Sequence, residues 1–204
     1  MKIDEIFTSI QGEGLTAGYP TVFVRCAGCN LRCTYCDTLQ AQEVESGRDI
    51  AVASVAEEVF RSGSDHVCIT GGEPLMQREG VFSLLQMLHD SGRDVSIETN
   101  GTIDFRILQP YASICMDVKC PSSGEKSDIS LLSCIRPSDS VKFVIGTDED
   151  IAYAHQILID NQVSGTVFWS PVFGSDQHRL IGYIIDNKLK VRFQLQLHKV
   201  VGVR

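Results

Sequence analysis

Three cysteines fall within eight residues: Cys29, Cys33 and Cys36, spaced C-x3-C-x2-C in the run 29–38. Three thiolates this close can hold three corners of an iron–sulfur cube and leave the fourth iron without a protein ligand. An iron with an open position can do chemistry, whereas a cluster with four cysteine ligands usually only carries electrons. The competing use of the same residues is a structural zinc knuckle, which needs a nearby fourth Cys or His. Cys26 is close in sequence, but it adjoins a predicted strand and is poorly placed to join the others.

A second group of residues ends a predicted strand: Thr70-Gly71-Gly72-Glu73-Pro74. Two glycines there let the backbone approach a ligand closely, although Gly-Gly before Pro also makes an ordinary turn. Asp117-Val118-Lys119 ends another strand; without further context it is a solvated pair. Ser170-Pro171-Val172 follows a later strand and is a weaker candidate of the same kind. His198 near the C-terminus titrates close to neutral pH, but a lone histidine there is by default a surface residue. Cys26, Cys68, Cys115, Cys120 and Cys134 lack ligand spacing; Cys68 and Cys115 lie in predicted strands and read as small buried residues.

The elements that must position these groups alternate. Segments 21–25, 66–70, 95–98, 113–118, 141–145, 166–169 and 191–197 are rich in β-branched and aromatic residues and read as strands. Val81, Leu84, Leu85 and Leu88 recur at helical spacing between two of them. Ser54 with Glu57 predicts a capping box for a helix that Gly63 ends. Asp148, Glu149 and Asp150 favour the positive end of a helix through Ile151, Ala154, Ile157 and Leu158, and a further helix covers 177–186. Strands alternating with helices imply a mostly parallel sheet. The expectation is an α/β fold, an incomplete TIM-like barrel of about six mostly parallel strands, with ligands at their carboxyl ends. Residues 99–112 and 119–138 carry Gly and Pro and no helical pattern, so helical cover should be reduced there.

Composition narrows the class. The 204 residues suit one domain, with 43% hydrophobic and 22% charged residues as in a globular protein. A formal charge of −8 argues against a general nucleic-acid or membrane surface, both of which need a basic face. Residues 1–5 lack the basic start and apolar core of a signal peptide, and no apolar run is long enough to span a bilayer. Eight cysteines in such a chain point to a reducing cytoplasm.

The C-x3-C-x2-C motif, with aromatic Tyr35 before its last cysteine, resembles that of the radical S-adenosylmethionine enzymes. Further features resemble one family within that superfamily, the 7-carboxy-7-deazaguanine synthases. They are Ile10-Gln11-Gly12-Glu13-Gly14, Arg25 four residues before Cys29, Thr38 after Cys36-Asp37, Glu98-Thr99-Asn100-Gly101, Lys119-Cys120-Pro121-Ser122-Ser123 and Leu197-His198-Lys199. The resemblance spans nearly the whole chain.

It implies a [4Fe-4S] cluster on Cys29, Cys33 and Cys36, with S-adenosylmethionine on the open iron. That cofactor would meet Tyr35, Cys36, Asp37, Gly72, Glu73, Asp117, Val118, Lys119 and Ser170. A 6-carboxy-5,6,7,8-tetrahydropterin would lose its C6 hydrogen, contract its ring and release ammonia, giving 7-carboxy-7-deazaguanine for 7-deazapurine (queuosine-type) biosynthesis. Ile10, Gln11, Gly12, Arg25, Thr70 and the terminal Arg204 would bind this substrate, with Glu98 and His198 in catalytic roles. Thr38 would hold Mg²⁺, a hard cation that prefers oxygen ligands and keeps several waters. The resemblance divides one domain, 1–204, into a substrate-binding segment 1–20, a cluster loop 26–38 and a pocket-closing strand and tail 190–204. It also implies a homodimer and an external one-electron reductant of the flavodoxin or ferredoxin class. Family members often end in Pro where this chain has Arg204. The alternatives are an activating enzyme that installs a glycyl radical on a partner protein, or a non-enzymatic iron–sulfur or zinc protein.

Overall fold

The computed structural model describes residues 1–203. Its strands are β1 (Lys2–Ile10), β2 (Pro20–Cys26), β3 (Arg48–Asp49), β4 (His66–Gly71), β5 (Asp94–Thr99), β6 (Ser113–Val118), β7 (Ser140–Ile145), β8 (Thr166–Pro171) and β9 (Arg192–Phe193). Among the described residues they form one sheet in the order β3-β1-β2-β4-β5-β6-β7-β8-β9. From β2 to β9 every neighbouring pair is parallel, while β1 runs antiparallel to both β2 and β3. The edge strands β3 and β9 do not meet, so the barrel is open.

The α-helices are α1 (Val52–Ser62), α2 (Arg78–Asp90), α3 (Asp148–Asp160), α4 (Gln177–Asp186) and α5 (Leu197–Val201). The first four precede β4, β5, β8 and β9 and cover the outer face. As Gly101, Pro110, Pro121 and Pro137 foretell, the β5–β6 and β6–β7 connections hold no α-helix, only 3₁₀ turns at Pro121–Ser123 and Ile129–Cys134.

Successive strand side chains point to opposite faces, and here that period divides core from site. Val22, Val24, Val67, Ile69, Val95, Ile97, Ile114, Met116, Val118, Val141, Phe143 and Trp169 lie in the apolar core shared with the helices. The alternate positions face inward: Arg25, Thr70, Glu98, Asp117 and Lys142 all line an interior cavity. Register sets them side by side, with Arg25 opposite Thr70 and Asp117 opposite Lys142. No helix of the described residues is long and apolar enough to cross a membrane.

Three local expectations need correction. The helix read from Ser54 begins at Val52, with Ala51 at its N-cap and no side-chain cap, so the Ser54–Glu57 box does not form; Gly63 does end it, at φ 73°. A capping box forms instead at α3, between Thr147 and Asp150. Segment 191–197 pairs with β8 only over Arg192–Phe193, and Leu197–Val201 is helical. The cause lies in its polar side chains, which bind the loop after β1. Gln194 exchanges hydrogen bonds with Gly14 through Oε1 (2.8 Å) and Nε2 (3.0 Å), and Gln196 Nε2 donates to Glu13 Oε1 at 2.6 Å. Finally, Lys2–Ile10 of the N-terminal segment 1–20 form a strand, β1, that the sequence did not suggest.

Candidate active site

The parallel strands end around a cavity of about 520 Å³. One rim is the loop after β2, which carries Cys29, Cys33 and Cys36. This loop is pinned from two sides. Thr34 N donates to Ser123 O at 2.9 Å and Arg32 N to Glu125 Oε1 at 2.6 Å, so the long β6–β7 connection buttresses it. Just past β5, Asn100 Nδ2 donates to Asn30 Oδ1 at 2.9 Å. All three cysteines are free and half-buried, and Leu31 N donates to Cys29 Sγ at 3.5 Å. Burial pushes the Cys29 and Cys33 thiols up, and the Lys119 ammonium pulls against that.

Gly72 sits where β4 meets the cysteine loop. A Cβ there would lie 2.1 Å from Gly28 O, so only glycine permits the approach. Gly72 N donates to Cys26 O (2.9 Å) and Glu73 N to Gly28 O (2.8 Å), locking the loop base onto the strand end.

The floor is charged. Lys142, only 4% exposed, ion-pairs with Glu13 and lies 3.1 Å from Asp117 Oδ1. Burial disfavours its ammonium, yet Asp117, Glu13 and Glu98 together hold it charged well above the ordinary range. Asp117 Oδ2 is 3.3 Å from Lys119 Nζ. Glu98 Oε2 accepts from Thr70 Oγ1 at 3.0 Å. Burial pushes the Glu98 carboxyl up; Lys142 lowers it, and Glu13 and Asp117 add to the rise.

On the N-terminal wall Arg25 Nε pairs with Glu5 at 3.0 Å and its guanidinium lies over Phe7, 5.4 Å from the ring centroid. Phe7 stacks on Phe23 at 5.0 Å. Arg25 Nη1 also donates to Thr38 Oγ1 (3.4 Å), which donates to Asp37 Oδ1 (3.0 Å). Across the mouth, α5 sets His198 against Gly12, and Lys199 pairs with Asp37 at 2.6 Å. Burial lowers the His198 imidazole below its ordinary value. Burial would raise Asp37, but hydrogen bonding and charge from Lys199 outweigh it and bring it to about 2.

Most of the residues expected from sequence therefore share one cavity: Ile10, Gln11, Gly12, Arg25, Tyr35, Cys36, Asp37, Thr38, Thr70, Gly72, Glu98, Asp117, Lys119 and His198 all line it. Three do not. Glu73 is wholly buried, and its carboxylate accepts from Leu75 N, Thr99 Oγ1 and Asn100 N at 3.0, 2.9 and 2.7 Å. Val118 takes the alternate strand position and belongs to the apolar core. Ser170 is buried with its Oγ unpartnered, and it does not reach the cavity wall. Arg204 lies outside the described residues. Lys142, Gln196, Phe7 and Phe23 line the cavity without having been singled out. Only Lys142 left a signal, a charge inside an otherwise apolar strand, 141–145.

The residues fit a cluster and a polar cofactor beside it. The three thiols face the cavity unpaired, and the buried Asp117 Oδ1, though 3.1 Å from the Lys142 ammonium, accepts no well-aligned hydrogen bond and so keeps acceptor capacity for a ligand hydroxyl. Among the described residues no three His, Cys, Asp or Glu side chains converge around a single-ion site.

An open parallel barrel with this cysteine rim defines a class, and a family model of the radical SAM superfamily matches residues 23–118. Over 203 residues the chain is 52% identical to the 7-carboxy-7-deazaguanine synthase of Methanospirillum hungatei, covering 100% of this chain and 86% of that one. It is 38% identical to the synthase of Thermoplasma acidophilum, covering 98% and 97%. The chain belongs to the 7-carboxy-7-deazaguanine synthase family: it is a radical S-adenosylmethionine-dependent lyase of 7-deazapurine biosynthesis. Its fold, an incomplete TIM-like barrel, matches the crystal structure of QueE from Escherichia coli with a TM-score of 0.78 at 25% identity, over 97% of this chain and 94% of that one. Streptococcus suis SuiB shares the fold alone, at a TM-score of 0.60 and 15% identity, over 87% of this chain and 48% of that one. Family membership sets aside the glycyl-radical activating enzyme and the non-enzymatic readings.

Proposed function

We propose that the cavity binds 6-carboxy-5,6,7,8-tetrahydropterin and that the chain converts it to 7-carboxy-7-deazaguanine and ammonia, starting with loss of the C6 hydrogen. The observation that carries this reading is the pairing of Thr70 with Glu98 on the inner face, between the cysteine rim and the Arg25 wall. Cys29, Cys33 and Cys36 hold the cluster. Cluster and S-adenosylmethionine together supply the one-electron bond cleavage and the hydrogen abstraction. Gly72, Asp117 and Lys119 hold the polar end of that cofactor, and Tyr35, whose hydroxyl donates to Val144 O at 3.2 Å, bounds it on the other side.

The remaining residues orient the pterin. Its amino-pyrimidinone edge presents N–H donors, and Glu98 and the Gln11–Gly12 backbone accept them. Arg25, braced by Glu5 and Phe7, offers its guanidinium to the substrate carboxylate. Burial raises the Glu98 carboxyl, so it holds a proton more readily than an exposed glutamate, and His198, which burial biases toward the neutral form, can take one at the mouth. Thr38 would offer its hydroxyl oxygen to Mg²⁺, a hard cation that takes oxygen ligands and would help neutralise the substrate carboxylate. The enzyme acts as a homodimer in the cytoplasm, fed by a flavodoxin- or ferredoxin-class reductant.

The test is anaerobic turnover. Reduced, cluster-loaded protein given S-adenosylmethionine, 6-carboxytetrahydropterin and Mg²⁺ should form 7-carboxy-7-deazaguanine. Thr38→Ala should weaken the response to Mg²⁺. No product from fully loaded protein would overturn the substrate assignment, and an unchanged Mg²⁺ response in Thr38→Ala would overturn the metal assignment.

A further inference from the structure

Lys142 has no role in the reaction as so far described, yet at 4% exposed it is the most buried charged residue lining the cavity. Its Nζ contacts Glu13, on the N-terminal wall, and lies 3.1 Å from Asp117 Oδ1, on the wall next to the cysteines. Both contacts are doubly held. Gln196 Nε2 donates to the other oxygen of Glu13 at 2.6 Å, and Lys119 Nζ lies 3.3 Å from the other oxygen of Asp117. A lysine on an inner strand position, 4% exposed, costs desolvation that a purely structural residue would avoid.

We propose that Lys142 is a shared positioning cation that ties Glu13, on the pterin side, to Asp117, on the S-adenosylmethionine side, and so fixes the two walls of the cavity relative to each other. This rests on the substrate reading above and adds a residue to it. Titratable groups from every packed element bear on the site: Glu13 from the loop after β1, Glu98 from β5, Cys115 and Asp117 from β6, Lys119 just past it, and His198 from α5. Three carboxylates, those of Glu13, Glu98 and Asp117, share two ammonium groups, those of Lys119 and Lys142. Removing Lys142 leaves the remaining charges unbalanced, and a proton on Glu98 is the cheapest correction.

The test uses Lys142→Met, Lys142→Arg, Glu13→Gln and the Glu13→Gln/Lys142→Met double variant, each checked for native circular dichroism. Carbon-13 NMR of Glu-labelled full-length protein follows the Glu98 carboxyl without any cofactor. Its titration midpoint should rise by about one unit or more in Lys142→Met and stay near wild type in Lys142→Arg. In the reconstituted enzyme, Lys142→Met should form excess 5′-deoxyadenosine per product and lose kcat/KM by about a hundredfold. The double variant should be no worse than Lys142→Met, because the partner is already lost. If Lys142→Met does not fold, the double variant, which leaves no charge on either member of the pair, carries the comparison with Glu13→Gln. An unchanged Glu98 midpoint, or losses from Glu13 and Lys142 that multiply independently, would overturn the proposal. Wild-type protein that binds cluster but makes no product would instead overturn the substrate reading, while the NMR result still judges the Lys142 contacts.

Discussion

At the scale of single residues, Glu73 separates what a motif says from what a carboxylate does. The Gly-Gly-Glu-Pro run marks a strand end that approaches a ligand, and Gly72 does line the cavity. The glutamate itself turns inward and gathers three donors from the ends of β4 and β5. Spacing reports proximity along the chain, but at a strand end the two-residue alternation lapses and the side-chain direction is set by whichever donors are in reach. Glu73→Ala would strand those donors in a dry site. The expected loss is about 3 kcal/mol of folding stability, read from chemical denaturation of the apoprotein. Glu73→Gln should lose less because it keeps an acceptor, and a Glu73→Ala variant as stable as wild type would contradict this role. By contrast, the three cysteines were legible from their spacing, and Arg25 and Thr70 from the family resemblance; Arg25 and Thr70 sit side by side near the ends of β2 and β4, and all five line the cavity.

At the scale of elements, α5 is the piece that sequence misjudged and the site depends on. The alternating run at 191–197 looks like a strand because Phe193, Leu195 and Leu197 repeat every second residue. What redirects it is distant in sequence: Glu13 and Gly14 bind Gln196 and Gln194, and Leu197 N donates to Gly12 O at 3.0 Å. No local propensity encodes such long-range partners. The helix then presents His198 against Gly12, where an added Cβ would fall 2.0 Å from His198 Nδ1. Gly12→Ala must therefore displace α5 from the mouth. The expected outcome is a KM for the pterin raised about tenfold or more, with iron content and S-adenosylmethionine binding near wild type. Steady-state kinetics beside iron analysis checks it, and an unaltered KM would show that α5 does not bound the substrate space.

At the scale of the molecule, one sheet carries two opposite chemistries on its two faces. The outer face is continuous aliphatic core under α1 to α4; the inner face is a ring of charges. The parallel strands and the two helix-free connections were readable from β-branched runs and from Gly and Pro. β1 was not, because its run, KIDEIFTSI, mixes charged and apolar residues without strict alternation; Glu5 and Phe7 serve the cavity and Ile3 the core. Nor could the sequence show that the Gln11–Glu13 loop and the cysteine loop face each other across the floor, since that follows from β1 joining the sheet beside β2. Under the proposed function the whole arrangement serves one event, removal of hydrogen from a pterin bound between those two loops. Substrate deuterated at C6, turned over by the reduced, cluster-loaded enzyme, tests that event directly. The account predicts deuterium carried into the 5′ position of recovered S-adenosylmethionine as 7-carboxy-7-deazaguanine forms; product formed with no deuterium in the cofactor would contradict it.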